Sequence, residues 1–184
     1  MVAKKQGTVP LEVLSTPGHT LDSMSYLIRG QGVFVGDTLF AEDIVRNSKN
    51  ASSFYSSYIL RNLKGSARCD FPNGCPQLLY KSLQRILSLE DETKIYFCHD
   101  YPEGKNRTFK FETTVKEQKE YNIHVKKGIT EEEYVKMRSE RDKTLAMPKL
   151  FYPSVQINIL AGRLPDPEDN GVSFVKLPIK IKQV

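Results

Sequence analysis

Three histidines stand in this 184-residue chain, His19, His99 and His124, and two of them sit where strand-like runs end. His19 follows Leu11-Glu12-Val13-Leu14 and the turn Thr16-Pro17-Gly18, which would aim its imidazole into a cleft rather than a core. Asp37 follows Val33-Phe34-Val35-Gly36, and His99-Asp100 ends the run "TKIYFCHD" (residues 93–100). An imidazole past one strand and a carboxylate past another are two corners of a site for a divalent transition metal. Each residue also has a plainer reading. His19 can be a turn histidine, and Asp37 a turn cap beside a glycine that permits a tight approach. His99 can be a strand-end histidine satisfied by Asp100. His124, amid Tyr121, Val125 and two lysines, reads as structural or exposed.

The elements that must position these groups follow from periodicity. Residues 11–15, 24–29 and 32–36 read as strands, with Gly30-Gln31-Gly32 as the hairpin turn between the last two. Leu78, Leu79, Leu83, Ile86 and Leu87 form one apolar stripe at helical spacing, so 75–88 reads as a helix with Pro76 in its first turn. Residues 93–100 read as a short buried strand, and 112–121 as a charged amphipathic helix. Thr130 with Glu133 matches a capping box opening a helix to about Asp142. The segment 147–184 holds five prolines and reads as extended pieces and turns closing over the domain. Strands first, then helices alternating with a strand, suit a layered α/β domain better than a barrel. Residues 42–64, rich in Ser, Asn and Tyr and without period, read as an insertion.

Composition narrows the partners. Apolar residues make up 39% of the chain, enough for a packed core, and no apolar stretch reaches the ~20 residues that span a bilayer. The charge of +5 comes from scattered Lys and Arg, which favours an anionic small molecule or plain solvation over nucleic acid. Cys69, Cys75 and Cys98 are odd in number and share no C-x-x-C spacing, so neither a disulfide framework nor a zinc knuckle is expected. The expected setting is reducing, cytoplasm or mitochondrial matrix rather than secreted, with the cysteines packing rather than reacting.

The segments "TPGHT", "VGDTLF", "ARCDFPNG" and "CHDY" together resemble the metallo-β-lactamase superfamily, and within it the glyoxalase II and persulfide dioxygenase branch. The likeness runs from about Pro10 to Ile179 and implies an αββα sandwich, of which this chain looks like the C-terminal portion with the first half missing. The family's H-x-H-x-D-H motif should precede TPGHT by several dozen residues, and only nine residues precede Pro10.

What the resemblance implies about the site is specific. In the dioxygenases two histidines and one aspartate hold a single iron and leave positions open for O₂ and substrate. His19 and Asp37 match two of those ligands, and His99 matches the second-metal position of the two-metal hydrolases. Arg68 and Asp70 resemble a signature loop beside the metal, with Arg68 fixing that loop or the substrate. Tyr101 and Lys119 match positions associated with glutathione. The expected activity is oxidation of glutathione persulfide to sulfite by Fe(II) and O₂, from a chain that alone lacks a competent site. A complementing N-terminal half or a homo-oligomer would restore it. The alternatives are a glyoxalase II-like hydrolase of glutathione thioesters using Zn(II), with Asp37 bridging two metals, and a non-catalytic truncated product.

Overall fold

The computed structural model describes residues 3–6 (backbone only), 9–41, 65–102 and 108–178. The insertion expected at 42–64 lies outside the described residues. The chain divides into two compact units, residues 1–144 and 145–184, where one domain with an extended tail was expected.

Among the described residues of the first unit six strands form one sheet: β1 (Ala3–Gln6), β2 (Val9–Ser15), β3 (Met24–Ile28), β4 (Gly32–Phe34), β5 (Lys94–Tyr96) and β6 (Glu112–Thr114), in that spatial order. Neighbours are antiparallel except β4 and β5, which run parallel with Val33 opposite Ile95 and Phe34 opposite Tyr96. The β3–β4 hairpin closes as expected: Gln31 N–H donates to Ile28 O at 3.0 Å, and Gly30 takes the positive φ of 74° that favours glycine.

Period-2 alternation sorts each strand into two faces. Leu14, Leu27, Val33 and Ile95 point inward and are buried against α1 (Pro76–Leu87), whose Leu79, Leu83 and Ile86 have no exposed surface. Each such side chain stabilises the fold by roughly 1.5–3 kcal/mol. The other face is apolar too. Met24, Tyr26 and Phe34 are 42%, 43% and 47% exposed, and Phe34 stacks on Tyr96 at 4.8 Å.

The remaining helices depart in part from the periodicity. The helix expected over 112–121 is a strand followed by a helix: β6 pairs with β5, and Thr114 then caps α2 (Val115–Tyr121) through a capping box with Glu117. The Thr130–Glu133 capping box does open α3 (Glu131–Asp142). The strand expected over 93–100 stops at Tyr96. Among the described residues of the first unit there is thus one sheet, with α1 packed on its inner face.

The second unit is not all extended. Phe151–Ile159 form α4, with Pro153 in the first turn, where a missing N–H breaks no helical bond. The Gln156 side chain donates to Lys176 O and accepts from Lys176 N, both at 2.9 Å, tying α4 to the irregular stretch that follows.

Candidate metal centre

The parallel β4–β5 pair decides what meets what. Asp37 lies three residues beyond Phe34, and His99 three beyond Tyr96, so both leave the sheet at the carboxyl ends of adjacent strands. That edge is where open α/β sheets place their ligands. There Asp37 stands between the two histidines. Its Oδ2 is 4.0 Å from His19 Nε2, and its Oδ1 is 3.2 Å from His99 Nε2.

His19 is held from behind. Its Nδ1 lies 2.7 Å from the Arg68 carbonyl, an acceptor only, so Nδ1 carries a proton and Nε2 is the nitrogen left facing Asp37, the one a cation between them would take. This is the arrangement that prepares a histidine for a metal. The turn carrying it is pinned to α1: Cys75 N–H donates to Gly18 O at 2.8 Å, and Ser82 Oγ to Pro17 O at 2.7 Å. Gly18 has φ of 141°, and a Cβ there would come within 2.4 Å of the Leu79 backbone. Beneath the site, buried hydroxyls link three segments: Thr16 Oγ1 meets Ser25 Oγ at 3.0 Å and Thr38 Oγ1 at 3.4 Å.

The Arg68 loop is strapped down from α3. Asp142 accepts from Cys69 N at 2.7 Å and from Arg138 at 2.5 Å, and Arg138 reaches Ser66 O at 3.3 Å. Arg138 and Asp142 side chains are 2% and 7% exposed. Arg68 itself forks onto Asp70 with two bonds of 2.5 Å and lies over the Phe71 ring, which in turn meets the His19 ring edge-on at 5.2 Å. The guanidinium holds the Asp70 carboxyl below the usual carboxylate range. Arg68 is thereby placed to build the loop that orients His19.

Of the other expected site residues, Tyr101 joins the cluster: its ring is 5.8 Å from Phe40 and 6.0 Å from His99. Lys119 does not. It pairs with Asp91 at 2.7 Å, ahead of β5 and so at the opposite end of that strand from His99, in a separate surface cavity of about 820 Å³ lined by Lys116, Lys126 and Leu87 among others. Asp100, expected behind His99, accepts from the backbone of Tyr101 and Lys110 at 2.8 Å each. His124 is buried and structural, its Nδ1 3.0 Å from Ser66 Oγ.

Sequence reasoning missed Cys98. It was expected to pack, yet it is exposed at the site, with Sγ 3.2 Å from Asp37 Oδ1. Partial desolvation of the sulfur and the Asp37 carboxylate push its thiol up to about 12. The available signal was the Cys-His dipeptide just past a strand. Among the described residues, Asp37, Cys98 and His99 are the group whose donor atoms converge, all within 4.8 Å of one another. An imidazole with its tautomer set, a carboxylate addressing two histidines and an adjacent thiol form a donor set that fits a divalent transition metal.

Comparison with known proteins agrees with that chemistry. No family model matches the chain. The chain is 44% identical over 173 residues to "Glyoxylase B2" of Dictyostelium discoideum, covering 94% of this chain and 52% of that protein. It resembles the crystal structure of ETHE1 from Myxococcus xanthus at 33% identity and TM-score 0.66, over 88% of this chain and 58% of that one. A metallo-β-lactamase from Staphylococcus aureus shares the fold at 22% identity and TM-score 0.62, over 85% and 41% of the two chains. The chain therefore spans about half the length of the relatives it matches. With a further 42% identity over 175 residues to a "Beta-lactamase hydrolase-like protein" of Agrobacterium fabrum, covering 95% of this chain and 35% of that protein, the chain belongs to the metallo-β-lactamase superfamily.

Proposed function

We propose that this chain supplies part of a non-haem metal site acting on glutathione-bound sulfur, in the manner of a persulfide dioxygenase. The observation that carries the reading is His19 with its Nδ1 proton fixed on Arg68 O and its Nε2 facing Asp37. These two residues would hold a metal, iron by preference, and a third donor from a preceding H-x-H-x-D-H segment or a second copy would complete a facial triad. A bound metal supplies the redox or Lewis-acid chemistry there. This chain's own residues position and exclude. Arg68 and Asp70 keep the His19 loop in place, and Phe40 and Tyr101 form an aromatic wall that limits water and can carry the glutathione moiety.

A covering partner for this unit is supported by the exposed apolar sheet face of Met24, Tyr26 and Phe34. Adding the N-terminal half of a close relative should raise the melting temperature and give O₂ uptake with glutathione persulfide. Unchanged melting and no oxygen consumption would discard this reading.

One observation favours a second activity. Asp37 turns separate oxygens to His19 and His99, the pattern of a carboxylate shared by two metals in a glutathione thioester hydrolase. Thioester cleavage with zinc, without O₂ uptake, would select it.

A further inference from the structure

We propose that Cys98 is a metal ligand, so that Asp37, Cys98 and His99 form a cysteine-containing site for a thiophilic divalent cation, zinc before iron. The proposal rests on the second reading above, in which Asp37 turns one oxygen to a metal on the His99 side apart from the one held with His19, and adds the sulfur to that position. Its ground is convergence. Cys98 Sγ and His99 Nε2 lie at the same 3.2 Å from one oxygen, Asp37 Oδ1, and all three donor atoms fall within 4.8 Å of each other. Zinc bonds of about 2.0–2.3 Å at tetrahedral angles place ligand atoms roughly 3.3–3.8 Å apart, so small side-chain adjustments around these separations suffice.

The backbone makes this convergence attainable. In a continuing strand, residues 98 and 99 would point to opposite faces. Here β5 ends at Tyr96 and the chain bends at Cys98, which lets neighbouring side chains serve one point. Charge also matches. One thiolate and one carboxylate neutralise a dication, with a neutral imidazole as third ligand, and the thiol proton leaves to solvent as the metal binds. A thiolate in the set turns preference toward zinc and away from the oxygen-and-imidazole sites that suit iron. Both cysteine and histidine are exposed, so the cation has an open path in.

Cobalt(II) titration of the whole chain tests this, because a thiolate ligand adds a near-ultraviolet charge-transfer band that histidine and carboxylate do not. One equivalent should produce the band, Cys98→Ser should abolish it, and Cys75→Ser should keep it. Independently of any variant, zinc should protect Cys98 but not Cys75 from alkylation, read peptide by peptide. Cobalt retained without the band, or a band surviving in Cys98→Ser, overturns the sulfur ligand and leaves the metal reading standing. No retained cobalt at all overturns the Asp37–Cys98–His99 site, whereas the His19–Asp37 site, which needs a third donor from outside this chain, stands or falls on the oxygen-uptake test.

Discussion

His19 and His99 address the same carboxylate from two sides, and the protein treats them differently. The His19 side chain is 15% exposed, its Nδ1 is bonded to a backbone carbonyl, and the loop giving that carbonyl is tied to a buried ion pair on α3. The His99 side chain is 52% exposed and sits just past a bend, with aromatic neighbours and Asp37 for company. One half of the site is built into the core's support; the other is presented on the rim. Substitutions on the first side should therefore cost stability and site together, whereas those on the second should cost the site alone.

The sharpest break of this contrast is Asp142→Ala. It strips the partner from a buried Arg138 and the acceptor from Cys69 N, so about 3–5 kcal/mol of stability should go, a fall of roughly 10 °C in melting temperature. A loss under 1 kcal/mol would mean that α3 does not support the His19 side.

Next is Gly18→Ala, where the new Cβ meets the Leu79 backbone and φ disfavours a side chain. Denaturant unfolding should show about 1–3 kcal/mol of destabilisation, and the His19 imidazole resonance should shift. A native-like spectrum would count against the pinned turn.

Arg68→Ala should be milder, about 1 kcal/mol, since the Arg68–Asp70 pair is partly solvated. Its effect should depend on pH with a defined sign. The folded Asp70 pKa is depressed, so the pair's contribution is full above the unfolded value of about 3.9 and fades as pH falls through the folded value. Wild type and variant should converge in stability in strong acid. A gap that widens there would be the wrong sign.

The smallest stability effect belongs to His99→Ala, within about 0.5 kcal/mol, because the side chain is half exposed and supports nothing beneath it. Metal retention measured on the same sample should nevertheless drop. Equal destabilisation by His99→Ala and Gly18→Ala would erase the distinction between the two sides.

Some of this was legible in the chain and some was not, for physical reasons. The stripe Leu79–Leu83–Ile86 announced α1, because a helix must bury one face and its spacing is local information. The Thr130–Glu133 box announced the start of α3, and Gly30 the hairpin, since caps and turns involve residues a few positions apart. His19 and Asp37 could be singled out because each follows a strand and a glycine.

What tertiary structure decided lies between distant segments. β6 is a strand only because Lys94–Tyr96 offers its edge; alone, 112–121 is amphipathic enough to read as one helix. The meeting of Cys98, past the end of β5, with Asp37 joins residues 61 positions apart in sequence. The Arg138–Asp142 pair looks like an ordinary i,i+4 surface couple until the fold buries it under Cys69. Local propensity acts over a few residues. A site is made where long-range pairing brings strand ends together, and that register is not written in any one of them.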